Sequence, residues 1–329
     1  MTFQAAIVGL SKIGASIGLA LGRYPEELSV VGYDEDPKIA KAAERLGAVS
    51  KGYLALHRCV RNSKLVILAC PLDDVQAVLT LIAEEAPRGT VVIDTSPNKT
   101  QVAAWAQEIL PEGQYFTGWT LSQNPDHLHG PELGVDAARV DLFADSLIGI
   151  TDPPGTPEKV LTLSSDLVSL LDAKPFFIDS IEADGLIALT HELPRIAAFA
   201  LLLATVDAPG WHEGRKLAGP DYAKGTLPIL SVSEREDLGL SLRLNQENVT
   251  RLISDLIGEL HRIQEYLTTG QNEALRKDLA HAIDQRLLWL EQRKKLSWMP
   301  LDESEGRGPR PPSIFGGWLD SKFKRGKEE

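Results

Sequence analysis

Two hydrophobic rhythms alternate along the first half of the chain. Short continuous apolar runs, "QAAIVGL", "LSVVGYD", "KLVILACP" and "GTVVIDTS", are each followed by a segment with helical spacing. After the first run, Ile13, Ile17, Ala20 and Leu21 recur on one helical face. After the second, "PKIAKAAERLGA" opens on Pro37, suited to a first helical turn, and closes at Gly47, suited to a C-cap. Strands that are apolar on both faces and separated by helices predict a parallel sheet covered on both sides. This α/β domain is expected to span residues 1–153.

Around "TDPPGTPEKV" the pattern changes, and from there to about residue 300 the strong signals are helical. The stretch "DGLIALTHELPRIAAFALLLATV" is apolar nearly all round and predicts a buried helix. Leu244, Val249, Leu252, Ile253, Leu256, Ile257, Leu260 and Ile263 form one apolar stripe, and Leu275, Leu279, Ile283, Leu287 and Leu290 form another. Two long amphipathic helices joined near Gly270 suit an antiparallel pair or a dimer interface. The fold class is therefore α/β followed by an all-α domain over 154–300. The remainder, 301–329, is rich in Pro, Gly and charge and is expected to be a flexible tail without a core.

Length agrees with this division, since 329 residues exceed one ordinary core. With 43% hydrophobic and 24% charged residues, the composition is that of a globular protein. No uninterrupted apolar run reaches the roughly 18 residues of a membrane span, so no membrane partner is expected. The start of the chain lacks a basic segment and a cleavage site, and the expected location is cytoplasmic. A net charge of −12 argues against a nucleic-acid surface and requires a local set of cations for any anionic ligand. Cys59 and Cys70 are the only cysteines, which rules out a disulfide framework, and no histidine pair has metal-ligand spacing with a carboxylate.

The chemistry-bearing motif is "IVGLSKIGAS", residues 7–16. Gly9, Ser11 and Gly14 occupy the three positions of a dinucleotide fingerprint, directly after a strand and opening a helix. The first glycine permits the tight turn, the middle position admits the pyrophosphate, and the third lets helix and strand pack closely. The helix N-terminus supplies N–H donors and a positive dipole end. Ser11 is small, and its hydroxyl is a potential donor to phosphate; Lys12 adds a cation and Ile13 completes the turn. Asp34 ends the second strand 20 residues after Gly14, where a carboxylate takes ribose hydroxyls. Because "YDEDP" offers Asp34, Glu35 and Asp36 and no arginine, NAD is expected over NADP. Cys70 and Pro71, ending the third apolar run, are expected to border the same site.

These residues resemble those of the prephenate (arogenate) dehydrogenase family, oxidoreductases of tyrosine and hence aromatic amino acid biosynthesis. The resemblance covers about residues 4 to 298 and rests on "IVGLSKIGASIGLAL", "VVGYDEDP", "LVILACP", "VVIDTSPNK", "DGLIALTHELPRIAAFAL" and "LNQENVTRLISDLIGELHRI". It implies an N-terminal Rossmann-like domain, a helical domain through which two chains form a homodimer, and oxidative decarboxylation of a cyclic carboxylic acid with NAD. In that reaction a base takes the hydroxyl proton and cations hold the substrate carboxylates.

The departures from the family pattern fall on chemistry. Where the family has a histidine in Gly-Gly-His-Pro, "FTGWTLSQNP" places Thr120. The family serine of Asp-Val-Gly-Ser-Val-Lys falls on Pro97, with Ser96 one place before it and Lys99 retained. Ser-His-Leu-Pro-His becomes "HELPR", so that His191 replaces the serine and Glu192 and Arg195 replace the histidines. The arginine of Thr-Arg-Ile-Ala becomes Lys216, with Arg215 beside it. A threonine hydroxyl is too weakly basic for general-base work at neutral pH, so a catalytic chain needs a substitute. His191 is the first candidate, His127 and His129 the second, His212 the third. Lys216, Arg215 and Arg195 are the expected substrate cations. Alternatives are an NAD-binding dimer that has lost catalysis and serves as a sensor or partner, or a dehydrogenase or reductase of another small acid on the same scaffold.

Overall fold

The computed structural model of the chain describes residues 3–128, 133–231 and 238–298; His129 and the tail lie outside them. Eight strands form one sheet in the order β3-β2-β1-β4-β5-β6-β7-β8: β1 Phe3–Val8, β2 Leu28–Tyr33, β3 Lys51–Tyr53, β4 Leu65–Leu68, β5 Val91–Asp94, β6 Tyr115–Leu121, β7 Leu147–Thr151 and β8 Lys174–Phe177. Neighbours are parallel except β6 and β7, which run antiparallel. Helices α1 Lys12–Leu21, α2 Pro37–Leu46, α3 Leu56–Val60, α4 Val75–Glu85, α5 Lys99–Ile109 and α6 Glu158–Leu170 cover the two faces.

The strands β1, β4 and β5 explain themselves. Ile7, Leu65, Ile67 and Ile93 turn toward one buried cluster, while Ala6, Val8, Val66, Leu68 and Val92 turn toward the other. This is the alternation of a sheet sandwiched between helices.

The domain break expected after residue 153 lies later. The loop at Thr151–Pro157 leads into α6, whose Val160, Leu167 and Val168 belong to the sheet's own core, and whose Ser164 Oγ accepts from Trp119 Nε1 at 2.8 Å. Strand β8 then pairs with β7. The second domain begins at Ser180.

That domain contains α7 Ser180–Ile187, a π-helical turn Ala188–Glu192, α8 Leu193–Val206, α9 Trp211–Gly214, α10 Pro220–Thr226, α11 Leu238–Leu244, α12 Gln246–Thr269 and α13 Asn272–Lys295. The long pair α12–α13 turns at Gly270, left-handed at φ 72°, as a helix C-cap requires. Both of its ends return to the sheet domain. Asn245 lies at the junction, and the Arg293 guanidinium donates to the Gln123 carbonyl.

The apolar helix expected to be buried is largely uncovered. Ala198 alone is fully buried within α8, whereas Phe199 and Leu203 are about half exposed. The outer lengths of α12 and α13 likewise present Leu260, Ile263, Leu279, Ile283 and Leu287 to solvent. Among the described residues these faces are left uncovered. The continuous helical run Ser180–Val206 is also long and apolar enough by composition to cross a membrane, with mean hydropathy 1.6, contrary to the expectation from uninterrupted runs. Of its polar positions, however, Asp184 is spent on Lys99 and Thr100 across the domain junction, and Glu192 on Ser241 and Asn245 within the helical domain.

Candidate functional site

The fingerprint turn sits at the C-terminal edge of β1, the edge where ligands bind in open α/β sheets. Gly9 has φ +91°, and a Cβ there would lie 2.4 Å from the Ala69 carbonyl oxygen and 2.7 Å from Cys70 N. A Cβ on Gly14 would lie 1.9 Å from the Gly9 carbonyl oxygen. Only glycine fits at either place, because the two backbones are already in contact. Ser11 caps α1 in extended conformation without using its side chain as a cap, so its hydroxyl is left for a ligand. No acidic residue occupies the first turn of α1, and Lys12 opens it.

Asp34, buried at the end of β2, accepts from Leu10 N at 2.8 Å through Oδ2 and from Asp36 N at 3.0 Å through Oδ1. Its carboxylate is thereby aimed across the glycine turn. Cys70 stands against the same turn, and burial together with Asp94, Asp74 and Asp34 pushes its thiol far above the usual range. Cys59 is buried and pushed up to about 12. Both thiols are therefore neutral and poorly nucleophilic.

A second polar assembly lies at the end of β5. Lys99, 1% exposed, places Nζ 3.0 Å from Asp94 Oδ2 and 3.2 Å from the Asp94 carbonyl. Ser96 Oγ donates to Asp94 Oδ1 at 2.6 Å, so this hydroxyl is already committed. Asn98, left-handed at φ 66°, turns the chain into α5.

The helical domain closes over this turn. Asp184 Oδ1 and Oδ2 accept from Lys99 N and Thr100 N, capping α5 from another domain. Asn98 Nδ2 donates to the Ser241 carbonyl at 3.0 Å, and Ser241 Oγ lies 2.9 Å from Asn98 Oδ1 and 2.6 Å from Glu192 Oε1. Asn245 Nδ2 reaches Glu192 Oε2 at 3.1 Å and the Asp184 carbonyl at 2.9 Å. The result is a closed ring of buried polar groups: Asn98, Lys99, Asp184, Glu192, Ser241 and Asn245. Asn98, Asp184, Ser241 and Asn245 were not singled out from the sequence. Asn98, Asp184 and Asn245 fall within "VVIDTSPNK", "DGLIALTHELPRIAAFAL" and "LNQENVTRLISDLIGELHRI", segments that carried the resemblance, and Ser241 falls in none of them.

The other candidates are placed as follows. Thr120 is on β6, opposite Gly149 of β7, and its Oγ1 is buried without a hydrogen-bond partner. His191 lies on the wide π-helical turn beside Glu192, with Nδ1 2.9 Å from Thr190 Oγ1. The residue as a whole is exposed, while crowding by neighbouring atoms and the Arg195 cation lower its pKa. His127 Nε2 is held 3.0 Å from Asp141 Oδ1 in the loop after β6. His212 is exposed and faces Glu213 and Arg215.

The three expected substrate cations differ in exposure and in partners. Arg195 is half-buried near the junction, whereas Arg215 and Lys216 are exposed beyond α9 and Lys216 is paired with Glu213 at 2.6 Å. On α9, which precedes them, the Trp211 ring lies tilted against Tyr222 of α10 at 5.3 Å between centroids. Among the described residues no group of three or more His, Cys, Asp or Glu side chains forms a metal cage.

Residues 17–176 match the family described as prephenate dehydrogenase, nucleotide-binding domain, and the match ends inside β8 as the extended sheet domain requires. This stretch, just under half of the chain, is similar to the nucleotide-binding domain of prephenate dehydrogenases. The chain is 24% identical over 197 residues to the cyclohexadienyl dehydrogenase of Zymomonas mobilis, covering 60% of this chain and 65% of that protein. It therefore spans slightly under two thirds of that relative. It is 23% identical over 281 residues to the prephenate dehydrogenase of Bacillus subtilis, covering 85% and 74% of the two chains. In fold it is similar to the prephenate dehydrogenase of Aquifex aeolicus solved in complex with hydroxyphenyl propionate and NAD+, with a TM-score of 0.75, 19% identity, and coverage of 87% of this chain and 98% of that one.

Proposed function

We propose that this protein is an NAD-dependent dehydrogenase of the prephenate or arogenate type, which oxidises a cyclic carboxylic acid with loss of carbon dioxide. The observation that carries the reading is the Gly9–Gly14 turn with Asp34 locked across it by the Leu10 amide. The cradle fits a dinucleotide because a Cβ at either glycine would fill it, and because Ser11, Lys12 and the N-terminus of α1 supply donors and positive potential. Asp34, Glu35 and Asp36 favour NAD over NADP, whose 2′-phosphate would meet carboxylates. Held by the Gly9–Gly14 turn and Asp34, NAD would supply the hydride acceptor for the substrate's carbinol carbon.

The protein's own part is the proton and the charge. His191 takes the hydroxyl proton; desolvation and the Arg195 cation lower its pKa, which favours the neutral imidazole that a base must be. Thr120 Oγ1 offers a buried, unspent hydroxyl where the family places its histidine. Arg195 supplies a cation beside the junction, and a second chain, docking on the apolar faces of α8, α12 and α13, completes the active form as a homodimer.

The second reading is an NAD-binding dimer without catalysis, and the replacement of the family histidine by Thr120 favours it. Incubation with NAD and prephenate or arogenate, followed by NADH absorbance, separates the two: NADH formation supports the enzyme, and NAD binding without turnover supports the silent dimer.

A further inference from the structure

The buried ring at the domain junction is one proton short if all its carboxyls are ionised. Asn98 fixes its own orientation, because Nδ2 donates to the Ser241 carbonyl at 3.0 Å and a flipped amide would set two oxygens against each other. Its Oδ1 therefore faces Ser241 Oγ at 2.9 Å as an acceptor. Glu192 Oε1 faces the same Oγ at 2.6 Å. A serine hydroxyl owns one hydrogen, yet two acceptors stand at hydrogen-bond distance from it. On the other side, Glu192 Oε2 receives Asn245 Nδ2 at 3.1 Å, so that oxygen is served.

We propose that Glu192 is held as a neutral carboxylic acid, whose Oε1–H donates to Ser241 Oγ, and that it acts as a positioning residue fixing the β5–α5 turn to the helical domain. Ser241 then donates onward to Asn98 Oδ1, and each member of the ring has the partner it needs. The hydrogen bonds run in one direction from Glu192 through Ser241 to Asn98, the residue that orients the first turn of α5.

The surroundings agree. Glu192 is 1% exposed, and burial raises its pKa from the usual carboxylate range. Asp184 on α7 raises it further, while Arg195 on α8 and the bonds from Ser241 and Asn245 pull the other way; burial is the largest of these influences. From α11 and its junction with α12 the facing groups are the neutral Ser241 and Asn245, and the pair Asp94–Lys99 at the end of β5 is linked to it through Asn98 on one side and through Asp184 and Asn245 on the other. Ionising Glu192 leaves Ser241 choosing between two acceptors and adds a negative charge near Asp184. The junction therefore loosens as pH rises.

Infrared difference spectra and urea unfolding of the full chain, without nucleotide or substrate, test this. Wild type minus Glu192→Gln at neutral pH is expected to show the carbonyl band of a neutral carboxylic acid, displaced in D2O. Ser241→Ala serves as a second reference, expected to shift that band because the acid loses its acceptor. Glu192→Gln, which presents an amide donor to Ser241 and an oxygen to Asn245, is expected to keep the wild-type urea midpoint at neutral pH, whereas Glu192→Ala lowers it. On raising the pH, the wild-type midpoint falls below that of Glu192→Gln. An ionised carboxylate band in either difference spectrum, or a wild-type midpoint that gains on Glu192→Gln between mildly acid and neutral pH, overturns the proposal.

Discussion

Asp184 and Lys99 meet across the boundary between the two domains. The carboxylate of the first helix of the helical domain accepts the backbone N–H that opens α5, and the Lys99 side chain continues inward to Asp94 at 3.0 Å. A cap from another domain satisfies donors that α5 cannot satisfy itself and ties the floor of the nucleotide site to the helices above it. Replacing Asp184 by Ala is expected to cost about 1–2 kcal/mol, the usual range for a lost cap. A lower urea midpoint checks it, and Asp184→Asn should recover part of the loss.

Lys99 and Asp94 form a fully enclosed ion pair. Removing one partner leaves the other charge buried, which costs about 3–5 kcal/mol. Lys99→Ala is therefore expected to be the most destabilising of these changes. Replacing the pair together, as Asp94→Asn with Lys99→Met, is expected to cost less than Lys99→Ala alone, read from the same unfolding curves.

The paired strands β1, β2, β4 and β5, the glycine turn and the long helical pair were legible because each depends on local pattern. The apolar runs are continuous, and Gly9, Gly14 and Gly270 stand where backbone contact or a left-handed turn demands them. Strand β8 was missed because "KPFF" is four residues long and carries Pro175, and its place is decided by pairing with β7. The loop at 151–157 resembled a linker, though it only joins two parts of one sheet domain. The apolar α8 was expected to be covered by its own chain, but hydrophobicity states that a face must be covered and not by what. The junction ring was invisible because Asn98 meets Ser241 across 143 residues, and Asn, Ser and Glu on helices read as surface positions.

Those uncovered faces predict association. Leu260, Ile263, Ile283 and Leu287 are 43–60% exposed in one chain. A homodimer is expected at micromolar concentration by light scattering. Leu260→Glu with Ile283→Glu is expected to shift the population to monomer, and a wild-type monomer would remove this part of the account.

His191 gives the expected pH dependence of turnover. A base must be neutral to accept a proton, and its pKa lies below the ordinary value of about 6.5. Activity is therefore expected to be flat through neutral pH and to fall as pH drops through that lowered value. His191→Asn is expected to reduce turnover at least about tenfold, a barrier change of roughly 1.4 kcal/mol, with NAD affinity unchanged.

Asp34 carries the choice of cofactor. Asp34→Ala is expected to weaken NAD at least about tenfold, roughly 1.4 kcal/mol, while changing NADP far less, because only NAD presents a free 2′-hydroxyl to that carboxylate. The most direct measurement of the central claim uses the wild-type chain. Calorimetric titration with NAD and NADP is followed by addition of prephenate or arogenate to the NAD complex while NADH absorbance is recorded. The account predicts saturable NAD binding, much weaker NADP binding, and NADH formation with at least one of the two acids. Equal binding of the two cofactors, or an NAD complex that yields no NADH with either acid, would contradict it.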